Sequence, residues 1–90
     1  MLKYVFSEYR ESRGIGEDEI FSTEAEALEK ADGDWRHLSR HDQKSYLNDS
    51  NALYWAYEIE ITEEQLKAYE EGGLDTPLTE LWTRTVKEWV

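Results

Sequence analysis

The chain has no cysteine, a single proline, and only ten basic residues against twenty-one acidic ones across 90 positions. Each shortage excludes something. Without cysteine there is no disulfide framework, no thiolate zinc site and no thiol nucleophile. With a formal charge of −11, direct nucleic-acid binding is disfavoured, because phosphate contacts need an excess of Lys and Arg. Apolar runs are only a few residues long, so no membrane span or signal-peptide core is expected, and the cytoplasm is the expected compartment. The length fits one domain with one modest core.

What is present argues for a folded body. Hydrophobic residues make up 39% and aromatics 13%, with four Trp and six Tyr. Disordered acidic chains lack such aromatics. The acid is also unevenly spread. Residues 8–34 hold ten acids and three bases, net −7; residues 58–75 hold seven acids and Lys67, net −6. Between them Arg36, Arg40 and Lys44 against Asp42 make an island of +2 at residues 35–47.

Leu2 to Tyr9 is rich in β-branched and aromatic residues and reads as a strand. Arg10–Glu19, with Gly14-Ile15-Gly16 at its middle, reads as a flexible loop. Thr23-Glu24-Ala25-Glu26 is a capping-box pattern that opens a helix. Phe21, Ala25, Leu28, Ala31 and Trp35 then recur at helical spacing as an apolar stripe. Glu26 with Lys30, and Asp32 with Arg36, are spaced to pair along it. Gly33 is expected to end this helix, and Ser39 to cap a second, short one. In residues 52–61, Leu53, Trp55, Tyr57, Ile59 and Ile61 alternate with Ala52, Tyr54, Ala56, Glu58 and Glu60. That period of two predicts a strand whose second face is open to water or a partner. Thr62-Glu63-Glu64-Gln65 is another capping box, and Gly72-Gly73 ends its helix. After Thr76-Pro77, the spacing of Leu78, Leu81, Trp82, Val86 and Trp89 favours a helix over a strand for residues 82–90, with Glu80, Arg84 and Glu88 as a charged row. The expected fold is one compact α+β domain over residues 1–90. It has a two- or three-stranded antiparallel sheet, any third strand coming from Asp18–Phe21 or the C-terminus, packed against three to four short helices.

Catalytic and metal-binding patterns are weak. His37 and His41 are four apart, but a cap at Ser39 between them breaks the shared helical face that a metal needs. Ser39, His41 and Asp42 are too close in sequence for a catalytic triad. Gly14-Ile15-Gly16 lacks the rest of a phosphate-binding loop. Asp32-Gly33-Asp34 lacks the remaining ligands of a calcium loop. No enzyme activity, metal or cofactor is therefore expected.

The segment Phe21-Ser22-Thr23-Glu24-Ala25-Glu26-Ala27, Ala31 and Trp35-Arg36-His37-Leu38-Ser39-Arg40-His41-Asp42 carries a resemblance. Over residues 19–43 it resembles small acidic proteins encoded on phages and conjugative elements of Gram-positive gut bacteria. The resemblance implies a setting rather than residue roles. Small acidic phage proteins often resemble inhibitors of host defence nucleases, including anti-CRISPR and anti-restriction proteins. The expected function is therefore a protein-binding module whose carboxylates imitate phosphates and occupy a basic surface on a protein partner. Its candidate contacts are Glu17, Asp18, Glu19, Glu58, Glu60, Glu63 and Glu64, with Tyr54 as aromatic anchor. Tyr9, beside Glu8 and Glu11, is a second aromatic candidate. The alternative is an accessory module, monomer or homodimer, that associates through an apolar patch including Tyr54 and Trp89.

Overall fold

The computed structural model describes residues 1–11 and 15–90. Four strands form one antiparallel sheet in the order β2-β1-β3-β4. These are β1 (Leu2–Arg10), β2 (Ile15–Phe21), β3 (Leu53–Glu60) and β4 (Trp82–Glu88). Helices α1 (Glu24–His37) and α2 (Arg40–Asn48) connect β2 to β3. Helix α3 (Glu63–Glu70) and a 3-10 turn (Leu78–Leu81) connect β3 to β4. The α+β expectation holds, with four strands rather than two or three.

The helix starts are where side-chain oxygens stand in for missing backbone partners. Thr23 accepts from the Glu26 amide, Ser39 from the Asp42 amide and Thr62 from the Gln65 amide. Gln65 completes a capping box on Thr62. Each cap contributes about 1 kcal/mol. Gly72 has φ 76° and ends α3 in the left-handed region that glycine enters without strain.

The sheet carries a core on each face. On one face Val5, Tyr57, Ile59 and Ile61 pack with Leu78, Leu66 and Tyr69, so α3 and the 3-10 turn cover that side. On the other, Phe6, Tyr54 and Ala52 pack with Ala31, Trp35 and Tyr46, so α1 and α2 cover it. A strand buried on both faces explains why β3 is the most apolar segment. The helical stripe lies differently from expectation. Ala27 and Ala31 are buried and Ala25 is exposed, because two alanines one turn apart let α1 approach Phe6 and Tyr54 closely.

Three expected features give way. Gly33 does not end α1, which continues to His37. Residues 12–14 of the expected loop lie outside the described residues, but Ile15–Phe21 is strand, paired from Tyr4↔Phe21 to Arg10↔Ile15. The C-terminal segment is strand rather than helix. Its pairing with β3 draws Arg84 to Glu58 and Glu24 and Lys87 to Asp32, so the expected Glu80, Arg84, Glu88 row does not form. The helix pairs also rearrange. Lys30 meets Asp34 at 3.3 Å, and Glu26 takes the Thr23 hydroxyl at 2.8 Å. Among the described residues, no helix is long and apolar enough to cross a membrane.

Candidate functional site: an acid-lined cleft

The β1–β2 register sets Phe6 opposite Glu19, Ser7 opposite Asp18 and Glu8 opposite Glu17. Directly opposed residues share a sheet face. Phe6 belongs to the core beneath α1, so Glu8, Glu17 and Glu19 rise on the α1 side. Helix α1 adds Lys30 and Asp34, one turn apart. Between β2 and α1 lies a cleft of about 300 Å³ lined by Phe6, Glu8, Glu17, Asp18, Glu19, Lys30 and Asp34. Four carboxylates, Glu8, Glu17, Glu19 and Asp34, stand on this face, and Lys30 is the single cation among the lining residues; the Asp18 side chain, opposite Ser7, belongs to the α3 side of the sheet.

The cleft is electrostatically costly. Like charges directly opposite across strands destabilise a sheet, and Glu8 faces Glu17. Partial burial, then the charges of Asp34 and Glu17, push the Glu8 carboxyl above the usual carboxylate range. The Tyr46 hydroxyl donates to Glu8 at 3.5 Å, a long bond that offsets little. Lys30 is drawn above its ordinary value by its bond to Asp34. This arrangement suits a guest cation that would relieve the repulsion.

The other expected contact residues scatter. Register places Glu60 opposite Leu2, at the other end of β1 from Glu8. Six residues of strand separate the two ends by about 20 Å. There Glu60 holds the N-terminal amine at 2.6 Å. Glu63 and Glu64 lie exposed in the first turn of α3, where carboxylates complement the helix dipole. Glu60, Glu63 and Glu64 therefore do not join the cleft, although the two acidic blocks touch elsewhere, where Tyr69 donates to the Asp18 carbonyl and Arg84 bridges Glu24 and Glu58.

Two of the expected contact residues are buried instead of exposed. Tyr54 is 0% exposed, because α1 and α2 cover the face that was expected to be open. Its ring lies 4.9 Å from those of Phe6 and Trp35, 5.4 Å from Tyr46 and 5.3 Å from Trp89. Burial pushes its hydroxyl pKa well up. Glu58 is 8% exposed. It accepts the Thr83 hydroxyl at 2.7 Å and meets Arg84 at 3.0 Å. The Thr83 bond first, and Arg84 beside it, hold its carboxyl below the usual range. Glu58 ties β3 to β4. Of the expected apolar patch, Tyr54 is interior and Trp89 is half-buried against it, with Lys87 4.6 Å above the Trp89 ring.

Asp34 and Lys30 were missed as cleft residues, and Glu8 was named only as a neighbour of Tyr9. Reading residues 15–21 as a strand would have folded a hairpin and brought Glu17 opposite Glu8. Glu11 instead turns to α2's end, where it accepts from Asn51 at 2.6 Å. His37 Nδ1 lies 2.6 Å from the Gly33 carbonyl. Both His37 and His41 are exposed. Among the described residues, no group of three or more His, Asp or Glu is arranged to hold a metal ion.

The fold and cleft define a small α+β domain with an acidic recess at one sheet edge. No protein-family model matches the chain, and neither a curated protein nor a solved structure matches it.

Proposed function

We propose that this is a non-enzymatic acidic binding module that captures a basic surface on a protein partner. The cleft between β2 and α1 receives a Lys or Arg side chain of that partner. The carrying observation is the cross-strand pair Glu8 and Glu17 beside Asp34, an assembly that costs stability until a cation enters. Glu17 and Glu19 are held on a strand and Asp34 on a helix, so the carboxylates are preorganised and need little ordering on binding. The partner class is a protein whose basic groove ordinarily takes nucleic acid. Given the resemblance to mobile-element proteins, a host defence nuclease, CRISPR or restriction, is the proposed target. Carboxylates in fixed array then stand in for phosphates, and long-range attraction speeds encounter. Glu60, Glu63 and Glu64 would make at most a second contact.

Pull-down and nuclease-inhibition assays against such nucleases test this reading. The doubly reversed Glu17→Lys, Glu19→Lys protein should lose binding, and added salt should weaken the intact protein steeply. Glu63→Lys with Glu64→Lys should matter less. Undiminished binding by the first variant would remove the cleft from the mechanism. Reversal of Glu58 is no test, since it breaks the β3–β4 junction.

A further inference from the structure

The sheet has two outer strands, β2 and β4, and an outer strand presents a row of unpaired backbone groups. The two edges are guarded very differently. On β2, Glu17, Asp18 and Glu19 run consecutively. Two copies meeting antiparallel about Asp18 would oppose six carboxylates. That edge repels its own kind. On β4 both cations are already neutralised within the chain. Arg84 is held by Glu24 at 2.6 Å and Glu58 at 3.0 Å, and Lys87 by Asp32 at 2.9 Å. Its remaining residues are Trp82, Thr83, Thr85, Val86 and Glu88, a composition suited to pairing.

We propose that β4 pairs antiparallel with β4 of a second copy about a two-fold axis at Thr85. The faces agree. Trp82, Thr85 and Glu88 stand opposite Ile59, Tyr57 and Trp55 of β3, on the α3 side. Thr83 and Lys87 reach Glu58 and Asp32 on the α1 side. A two-fold axis normal to the sheet keeps each face with its own kind. In this register Thr85 meets Thr85, Trp82 meets Glu88 and Thr83 meets Lys87 of the second copy. No like charges are opposed, and Thr–Thr is a favourable cross-strand pair. A register centred one residue later would set Arg84 against Glu88 from opposite faces, which the pleat forbids. Trp82, 48% exposed, is covered by the pairing. The register irregularities between Ala56/Tyr57 and Glu58/Ile59 twist β4 and confine the match to its seven residues. The interface is therefore small, below about 1,200 Å², and the association weak. It leaves both clefts open at the far ends of an eight-stranded sheet, and it stands or falls separately from the binding proposal.

Sedimentation of the full chain across a concentration series tests it. The wild type should move toward twice the monomer mass as concentration rises. Thr85→Lys and Thr85→Glu should each stay monomeric, and their equimolar mixture should regain the dimer, because opposite charges then meet on the axis. Thr85 is exposed, and circular dichroism checks that the variants fold. Since the chain has no cysteine, Thr85→Cys should cross-link on mild oxidation, while Asp18→Cys on β2 should not. A wild type that stays monomeric throughout, or a dimer untouched by Thr85→Lys, overturns the proposal.

Discussion

The hydroxyl of Tyr54 donates to the carbonyl oxygen of Ala31 across 2.8 Å, tying the second residue of β3 to the middle of α1. Four aromatic rings surround it. Removing the hydroxyl leaves the packing and deletes one buried bond, so Tyr54→Phe should cost about 1 kcal/mol. Tyr54→Ala empties the space and should cost about 3–5 kcal/mol. Urea unfolding midpoints measure both. A Tyr54→Phe protein as unstable as Tyr54→Ala would mean the hydroxyl, not the ring, organises this core.

Two glycines should respond oppositely to alanine. At Gly33, inside α1, an added β-carbon meets nothing within 4 Å. Alanine there should stabilise by up to about 1 kcal/mol through helix propensity. At Gly72 the space is equally open, but φ is +76°. Alanine there should destabilise by about 1–2 kcal/mol. Thermal melts of the two variants separate the effects, since neither changes a packing contact.

Glu8 and Glu58 should give opposite pH signatures. The folded state raises the Glu8 carboxyl, so its charge subtracts stability at neutral pH; that loss shrinks as pH falls below the raised value and is gone below the ordinary carboxylate value. Glu8→Gln should therefore stabilise at neutral pH, with the gain fading on acidification. Glu58 is lowered in the folded state. Its contribution is present above the ordinary carboxylate value and is lost as pH falls through the lowered one. Glu58→Gln should destabilise at neutral pH and approach wild type in acid. Urea midpoints over a pH series show whether the two curves converge from opposite sides.

An arginine-rich peptide, standing in for the proposed partner, should raise the melting temperature of the wild type by binding only the folded state. The rise should shrink with salt and be absent in Glu17→Lys, Glu19→Lys. Lys30→Gln should strengthen peptide binding several-fold, because Lys30 shares the cleft with the acids a guest cation would use. Calorimetric titration reads both. Weaker binding by Lys30→Gln would mean that Lys30 shapes the cleft instead of competing for it.

Local chemistry was the most legible part of the sequence. Thr23, Ser39 and Thr62 announce their helices because a cap is decided within four residues. The alternation at 53–60 announces β3 because Glu58 and Glu60 mark one face as different from the run of Leu53, Trp55, Tyr57 and Ile59 on the other. β2 was legible only in part: Asp18–Phe21 is one of two candidates for a third strand, but Glu17, Asp18 and Glu19 have low strand propensity, and it is pairing with β1 that carries the strand back to Ile15. β4 misled because helical spacing in the sequence did not mean a shared face: Trp82 stands opposite Ile59 on the α3 side, whereas Trp89, just past the strand, packs against Tyr54 in the other core. The site inherited both errors. Its acids come from β1, β2 and α1, and adjacency across a hairpin has no counterpart in linear spacing. Tyr54 and Glu58 were misplaced because alternation identifies two faces without saying which one a helix will cover.

The position of β1 at the centre of the sheet has a kinetic consequence. Its pairing with β2 closes a local hairpin, but its other side waits for β3, with Leu2 meeting Glu60. Contacts so distant in sequence form late, after the loop-closure entropy between them has been overcome. During synthesis the segment Lys3–Tyr9 is therefore displayed with one ladder unfilled until residue 60 has emerged. Glu17, Asp18 and Glu19 on the hairpin partner put like charge beside that waiting edge, which disfavours pairing between unfinished chains.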